Sequence, residues 1–61
     1  MYEKIVILCK EKGISIPALE SALGFGNGTI SKWKVVSPSV ANVKKVADYF
    51  HVSIDYLCRE D

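Results

Sequence analysis

Residues Gly24–Lys34 read GFGNGTISKWK. Three of the four glycines in this 61-residue chain fall here, at positions 24, 26 and 28, and lysine and tryptophan follow at once. Glycine adds nothing to a core, so a small chain that gathers three of them is shaping its backbone. A phosphate-cradling loop needs a strand before it, or a G-K-[ST] ending. The preceding ISIPALESAL, Ile14–Leu23, reads as helix, and no G-K-[ST] occurs. A hairpin at Asn27-Gly28 needs alternating strands on both sides, and neither flank alternates. A tight turn between two helices meets every constraint. Gly24 ends one helix with a positive φ, and Phe25 tucks into the core. The next helix starts around Gly26 or Asn27.

On this reading Gly28 sits in the first turn of a helix, where it costs ~1 kcal/mol relative to alanine. With Ile30 and Trp33 turned inward on a wheel of about 100° per residue, Gly28, Ser31, Lys32 and Val35 face outward. A bare Gly28 leaves backbone amides open to a phosphate or a base edge. Asn27 beside it suits a cap or recognition of adenine through its amide.

Working outward, Tyr2–Lys12 reads as a helix with Ile5, Leu8 and Cys9 on one face, ended by Gly13. Ser15 caps a second helix that tolerates Pro17 in its first turn and carries Ile16, Leu19 and Leu23 inward. A further helix opens at SPSV, with Ser37 as cap and Pro38 as its first residue, on an apolar stripe of Val40, Val43, Val46, Ala47 and Phe50. The last begins at Ser53, where Val52 before the cap and Leu57 beyond it form a hydrophobic staple. No segment alternates with period two. The expected class is all-α, five short helices in a single domain over 1–61.

These elements resemble, in order, the Cro/CI-type (XRE) helix-turn-helix family. The matching pieces are GIS at the second helix, LESALGF through the turn, TISKW in the third helix, PSV before the fourth, and VADYFHVSIDYL at the end. The resemblance implies a five-helix lambda-repressor-like domain, with the helix-turn-helix in helices 2 and 3 and the third helix in the DNA major groove. Two positions depart from the family pattern. Ile16 stands where the family commonly has a glutamine that contacts phosphate. Glu20 stands at a usually small position, where it is either a solvated neighbour of Lys32 or a source of repulsion toward phosphate.

The net charge is only +1, but its distribution is uneven. No acidic residue lies between Glu20 and Asp48, an interval that carries Lys32, Lys34, Lys44 and Lys45, whereas Asp48, Asp55, Glu60 and Asp61 gather toward the end. With 49% hydrophobic and 25% charged residues, the composition is that of an ordinary folded domain. The longest apolar run, Ile5–Cys9, is too short for a membrane span or a signal-peptide core, so no membrane partner and a cytoplasmic location are expected. Cys9 and Cys58 lie among apolar neighbours and read as reduced, buried packing residues. With His51 they lack metal-site spacing, so no metal and no cofactor is expected. So small a domain has little room for a substrate cleft, and neither a small-molecule substrate nor catalysis is expected.

The function that follows is operator-DNA binding by a transcriptional regulator, a repressor by preference. Asn27, Gly28, Ser31, Lys32 and Val35 are the base-reading candidates, and Thr29, Lys34 and Lys44 the phosphate candidates. Ile7 lies on the outward side of the first helix, and it and Val6 stand where the resembling family usually has charged residues. With Tyr56 and Cys58 they are the candidate contact of a homodimer that forms at least on double-stranded DNA. The competing reading is a protein-interaction module, antitoxin-like or anti-repressor, that keeps the scaffold without DNA affinity.

Overall fold

The computed structural model describes residues 1–59. Four α-helices and a 3₁₀ turn follow one another: α1 Tyr2–Lys12, α2 Ile16–Leu23, the 3₁₀ segment Ser31–Lys34, α3 Val40–Phe50 and α4 Ile54–Cys58. Among the described residues there is no strand, so the chain is all-α. Glu60 and Asp61, half of the acidic C-terminal group, lie outside the described residues.

Local chemistry sets the helix ends. Ser15 Oγ accepts the Ala18 amide at 3.1 Å, and Ser53 Oγ accepts the Tyr56 amide at 2.9 Å, as the sequence predicts. α1 and α2 stop at Gly13 and Gly24, both left-handed. At the second of these, the Phe25 amide returns to the Glu20 carbonyl at 2.8 Å and satisfies an end carbonyl of α2. α3 opens two residues later than expected. Its cap is Ser39, whose Oγ accepts the Asn42 amide at 3.2 Å, so Ser37 and Pro38 precede the helix. Val40 is consequently the first helical residue, at the rim, and is 74% exposed rather than part of the apolar stripe.

The expected third α-helix is replaced by a tighter winding. Gly28 has φ +82°, outside the α region, so no regular helix runs through it from Gly26 or Asn27. The Thr29 amide bonds to the Gly26 carbonyl at 3.2 Å, Lys32 to Gly28 at 3.1 Å and Trp33 to Ile30 at 2.9 Å. These steps mix three- and four-residue spacings, a pattern of short 3₁₀ pieces. The expected five α-helices are thus four and this segment.

Every element contributes to one core: Ile5 and Cys9 from α1, Leu19 from α2, Ile30 ahead of the 3₁₀ segment, Val43, Val46 and Ala47 from α3, and Leu57 from α4. Ile16, Leu23, Phe25, Trp33, Phe50 and Val52 pack around it, partly buried. Ile16, at the position of the family's polar residue, is partly buried against the core and offers no hydrogen-bonding group there. Cys58 is exposed, contrary to the buried expectation. α4 is little more than one turn long and commits Leu57 to the core, which leaves the next position on its outer side.

Candidate nucleic-acid interface

The segment after α2 is held by a carboxylate. Glu20, at the centre of α2, is only 3% exposed. Its Oε2 accepts the Ile30 amide at 2.9 Å and its Oε1 accepts the Gly28 amide at 3.3 Å. Two amides at the start of the winding, which lack partners within it, are satisfied from the neighbouring helix. An anionic acceptor at the amino end of a right-handed turn also meets the positive end of its peptide dipoles.

This geometry corrects two expectations. Glu20 is neither a solvated neighbour of Lys32 nor a charge facing outward, because its carboxylate points into the turn. Gly28 does not present a free amide to a ligand, because that amide is already donated to Glu20. The glycine answers a backbone need instead, a left-handed φ that a residue with a Cβ adopts only at a cost. The chemical signal for Glu20 was present in the sequence: a lone acid in the otherwise uncharged IPALESAL, ahead of a glycine-rich turn with exposed amides.

The side chains that leave the outer face are set by the inward anchors. Ile30 is fully buried, and Trp33 is half-buried with its ring 5.8 Å from that of Phe25 in an edge-to-face contact. Asn27, Ser31, Lys32, Lys34 and Val35 are exposed; Gly28 and Thr29 are intermediate. Of the outward stripe expected from the wheel, Gly28, Ser31, Lys32 and Val35, the last three are exposed despite the change of winding, because the turn keeps the same two anchors; Gly28 is intermediate and its amide turns to Glu20.

The phosphate candidates Lys34 and Lys44, and Lys45 beside Lys44 in sequence, have different surroundings. The Lys34 ammonium lies 5.1 Å from the Tyr2 ring centroid, toward the start of α1, and Lys45 lies 5.6 Å from that of Phe25. Lys44 pairs with Asp48 at 3.2 Å, one turn away on α3, with both side chains largely exposed. An exposed pair of this kind is weak and opens easily. With Glu20 buried, residues 21–47 contribute cationic and no anionic side chains to the surface.

A helix, a glycine-ended turn and a second winding anchored on a buried isoleucine form one unit, and the family model described as helix-turn-helix matches residues 5–57, nearly the entire chain. The chain belongs to the Cro/CI-type (XRE) helix-turn-helix family. Membership places it among DNA-binding helix-turn-helix regulators. No curated protein and no solved structure gives a significant match. The matched span starts at the core residue Ile5 and ends at the core residue Leu57, so it covers all elements that build the helix-turn-helix core. Within this XRE domain no described helix is long and apolar enough to cross a membrane.

Of the proposed contact residues of α1 and α4, Ile7 and Tyr56 lie on one groove, Val6 lies on another, and Cys58 lines neither. Ile7 is 53% exposed and Tyr56 42% exposed. Both line one shallow groove with Glu3, Lys4 and Arg59. Lys4 donates to the Tyr56 carbonyl at 3.1 Å and its ammonium lies 4.7 Å from the Tyr56 ring centroid, which ties α1 to α4. Val6 is half-buried beside a second groove that runs toward Trp33 and Lys34.

Proposed function

We propose that this domain is a transcriptional repressor of the cytoplasm that occupies operator DNA, reading the major groove with residues 27–35. The observation that supports this most is the outer face of that segment. Lys32 stands exposed beside Asn27, Ser31 and Val35 on a turn anchored by Ile30 and capped from inside by Glu20. The burial of Glu20 keeps its carboxylate off the face that carries Lys32. Lys32 and Asn27 carry hydrogen-bonding groups suited to base edges, and Thr29, Lys34 and Lys44 suit the flanking phosphates. Lys44 reaches a phosphate by leaving Asp48. The function needs binding alone, with no covalent step.

One domain makes few contacts, so useful specificity calls for a homodimer on an inverted repeat. Selection of bound duplexes from random DNA tests the reading, followed by titration of the selected site against salt. Enrichment of an inverted repeat, with affinity falling steeply as salt rises, is the expected outcome. Replacement of Lys32 by alanine is expected to weaken the selected site by ~1–3 kcal/mol and random DNA much less. No enrichment and no salt-dependent binding would favour the protein-interaction module, which the exposed Ile7 and Tyr56 would serve.

A further inference from the structure

Val35 is 88% exposed, the most exposed of the large hydrophobic residues described. It closes the 3₁₀ segment, yet its backbone is not loose. Its amide donates to the Lys32 carbonyl at 3.0 Å, and the amide of Val36 donates to the same carbonyl at 2.8 Å. A β-branched side chain on a fixed backbone has few rotamers to lose when it is covered. The free protein thus holds a stiff apolar group in water, directly between the cationic stretch of Lys32 and Lys34 and the start of α3. Only one apolar group lies on the base edges of the major groove, the C5-methyl of thymine.

We infer that Val35 is a specificity-determining residue that contacts a thymine methyl group, next to the base pair met by Lys32. This rests on the DNA-reading function above and names a base within it. The position follows from the chain itself: Val35 lies three residues beyond Lys32, one 3₁₀ turn, and is bonded to it through the backbone, so the two side chains leave neighbouring points of the same face. Covering one methyl group is worth about a fourfold change in affinity.

The test removes that methyl and nothing else. In the selected duplex each thymine is replaced in turn by uracil, which keeps every hydrogen-bonding group, and affinities are measured for the wild type, Val35→Ala, Val35→Thr and Val36→Ala. Val35 touches little in the fold, so these variants retain the structure, which circular dichroism verifies. One thymine is expected at which uracil weakens the wild type about fourfold and leaves Val35→Ala unchanged. Val35→Thr, which keeps one γ-methyl, and Val36→Ala, 57% exposed in the wild type, both retain sensitivity at that thymine. Selective DNA binding with the same uracil profile in the wild type and Val35→Ala overturns the inference and leaves the DNA-reading function standing. Loss of the sensitivity in Val36→Ala assigns the methyl contact to the wrong valine and also overturns it. Absence of selective binding to any duplex overturns both.

Discussion

The carboxylate of Glu20 accepts the backbone amide of Ile30 at 2.9 Å, inside the domain and ten residues along the chain. A second bond, from Gly28 at 3.3 Å, makes the side chain a clamp between α2 and the start of the segment proposed to read DNA. The clamp is internal, yet it controls how the exposed residues beyond it are displayed. On the proposed function, its loss is expected to weaken DNA binding through geometry.

Glu20→Gln offers one oxygen and one NH₂ where two amides need acceptors, so one donor is left facing a donor. The expected cost is ~1–3 kcal/mol, the range for leaving a buried donor unsatisfied. Glu20→Ala leaves both amides without a partner and is expected to cost more. A domain of this size has only ~3–5 kcal/mol to lose, so the alanine variant should be largely unfolded near body temperature. Urea titrations of the three proteins check the order. Equal midpoints for wild type and Glu20→Gln would show that the carboxylate's charge is not used.

Gly28→Ala is expected to destabilise by ~1–2 kcal/mol because φ +82° is strained for an L residue. An added Cβ there meets nothing within 4 Å, so the cost is backbone strain alone. Gly28→Asn, whose side chain tolerates the left-handed region, is expected to lose less. A thermal melt in which alanine matches glycine would remove this account of the turn.

His51 ends α3 with φ +58°, the one described non-glycine residue with a positive φ. Its position repeats the geometry of Gly24, with the Val52 amide returned to the Ala47 carbonyl at 3.0 Å. His51→Gly relieves the left-handed cost but adds freedom to the unfolded chain, and a net gain of roughly 0.5–1 kcal/mol is expected. Differential scanning calorimetry, showing a higher midpoint for the glycine variant, checks this.

The ends of α1 and α2, the start of α4, the inward faces of α1 and α2 and the exposure of Ser31, Lys32 and Val35 were legible in the sequence. Each rests on short-range rules: a serine oxygen near an amide, a glycine after an apolar repeat, two anchors three residues apart. The details of the turn were not legible. A wheel assumes helical φ, and no wheel shows that Gly28 is left-handed or that its amide is taken by Glu20. Those facts depend on α2 lying against the turn, a tertiary relation between residues eight and ten apart. Ser39, and not Ser37, caps α3: both serines fit the local rule, and the Asn42 amide goes to Ser39 Oγ.

The two cysteines are predicted to differ sharply in reactivity. Cys9 is 2% exposed and burial raises its thiol pKa above the usual 9.0, whereas Cys58 is exposed and free. The thiolate is the nucleophile, so alkylation at pH 8 should label Cys58 quickly and Cys9 only as the domain opens. A raised thiol pKa also favours the folded state below the unfolded pKa, and that contribution is lost as pH climbs past it. Stability is thus expected to decline above about pH 9, and less so in Cys9→Ala measured against its own neutral-pH value. Mass spectrometry of labelled peptides and urea titrations at pH 7 and 10 decide both points.

The last prediction concerns assembly. Ile7 and Tyr56 flank one groove, on a face where Glu3 lies beside Lys4 and Arg59. Such a face is self-complementary in charge: across a twofold axis the acid of one copy meets the bases of the other. An isologous dimer through this face is therefore expected, with its reading segments ~34 Å apart to match one DNA turn. Ile7→Glu places two carboxylates at or near the axis and should shift the protein to monomer, with weaker binding to an inverted repeat. Because Ile7 is 53% exposed, the variant's melting temperature should change little. Sedimentation equilibrium with and without the duplex measures the first effect, and circular dichroism the second. A wild-type protein that stays monomeric at high concentration and binds the inverted repeat one to one rules out the dimer. An unfolded Ile7→Glu would instead show that α1 needs Ile7 for its own packing.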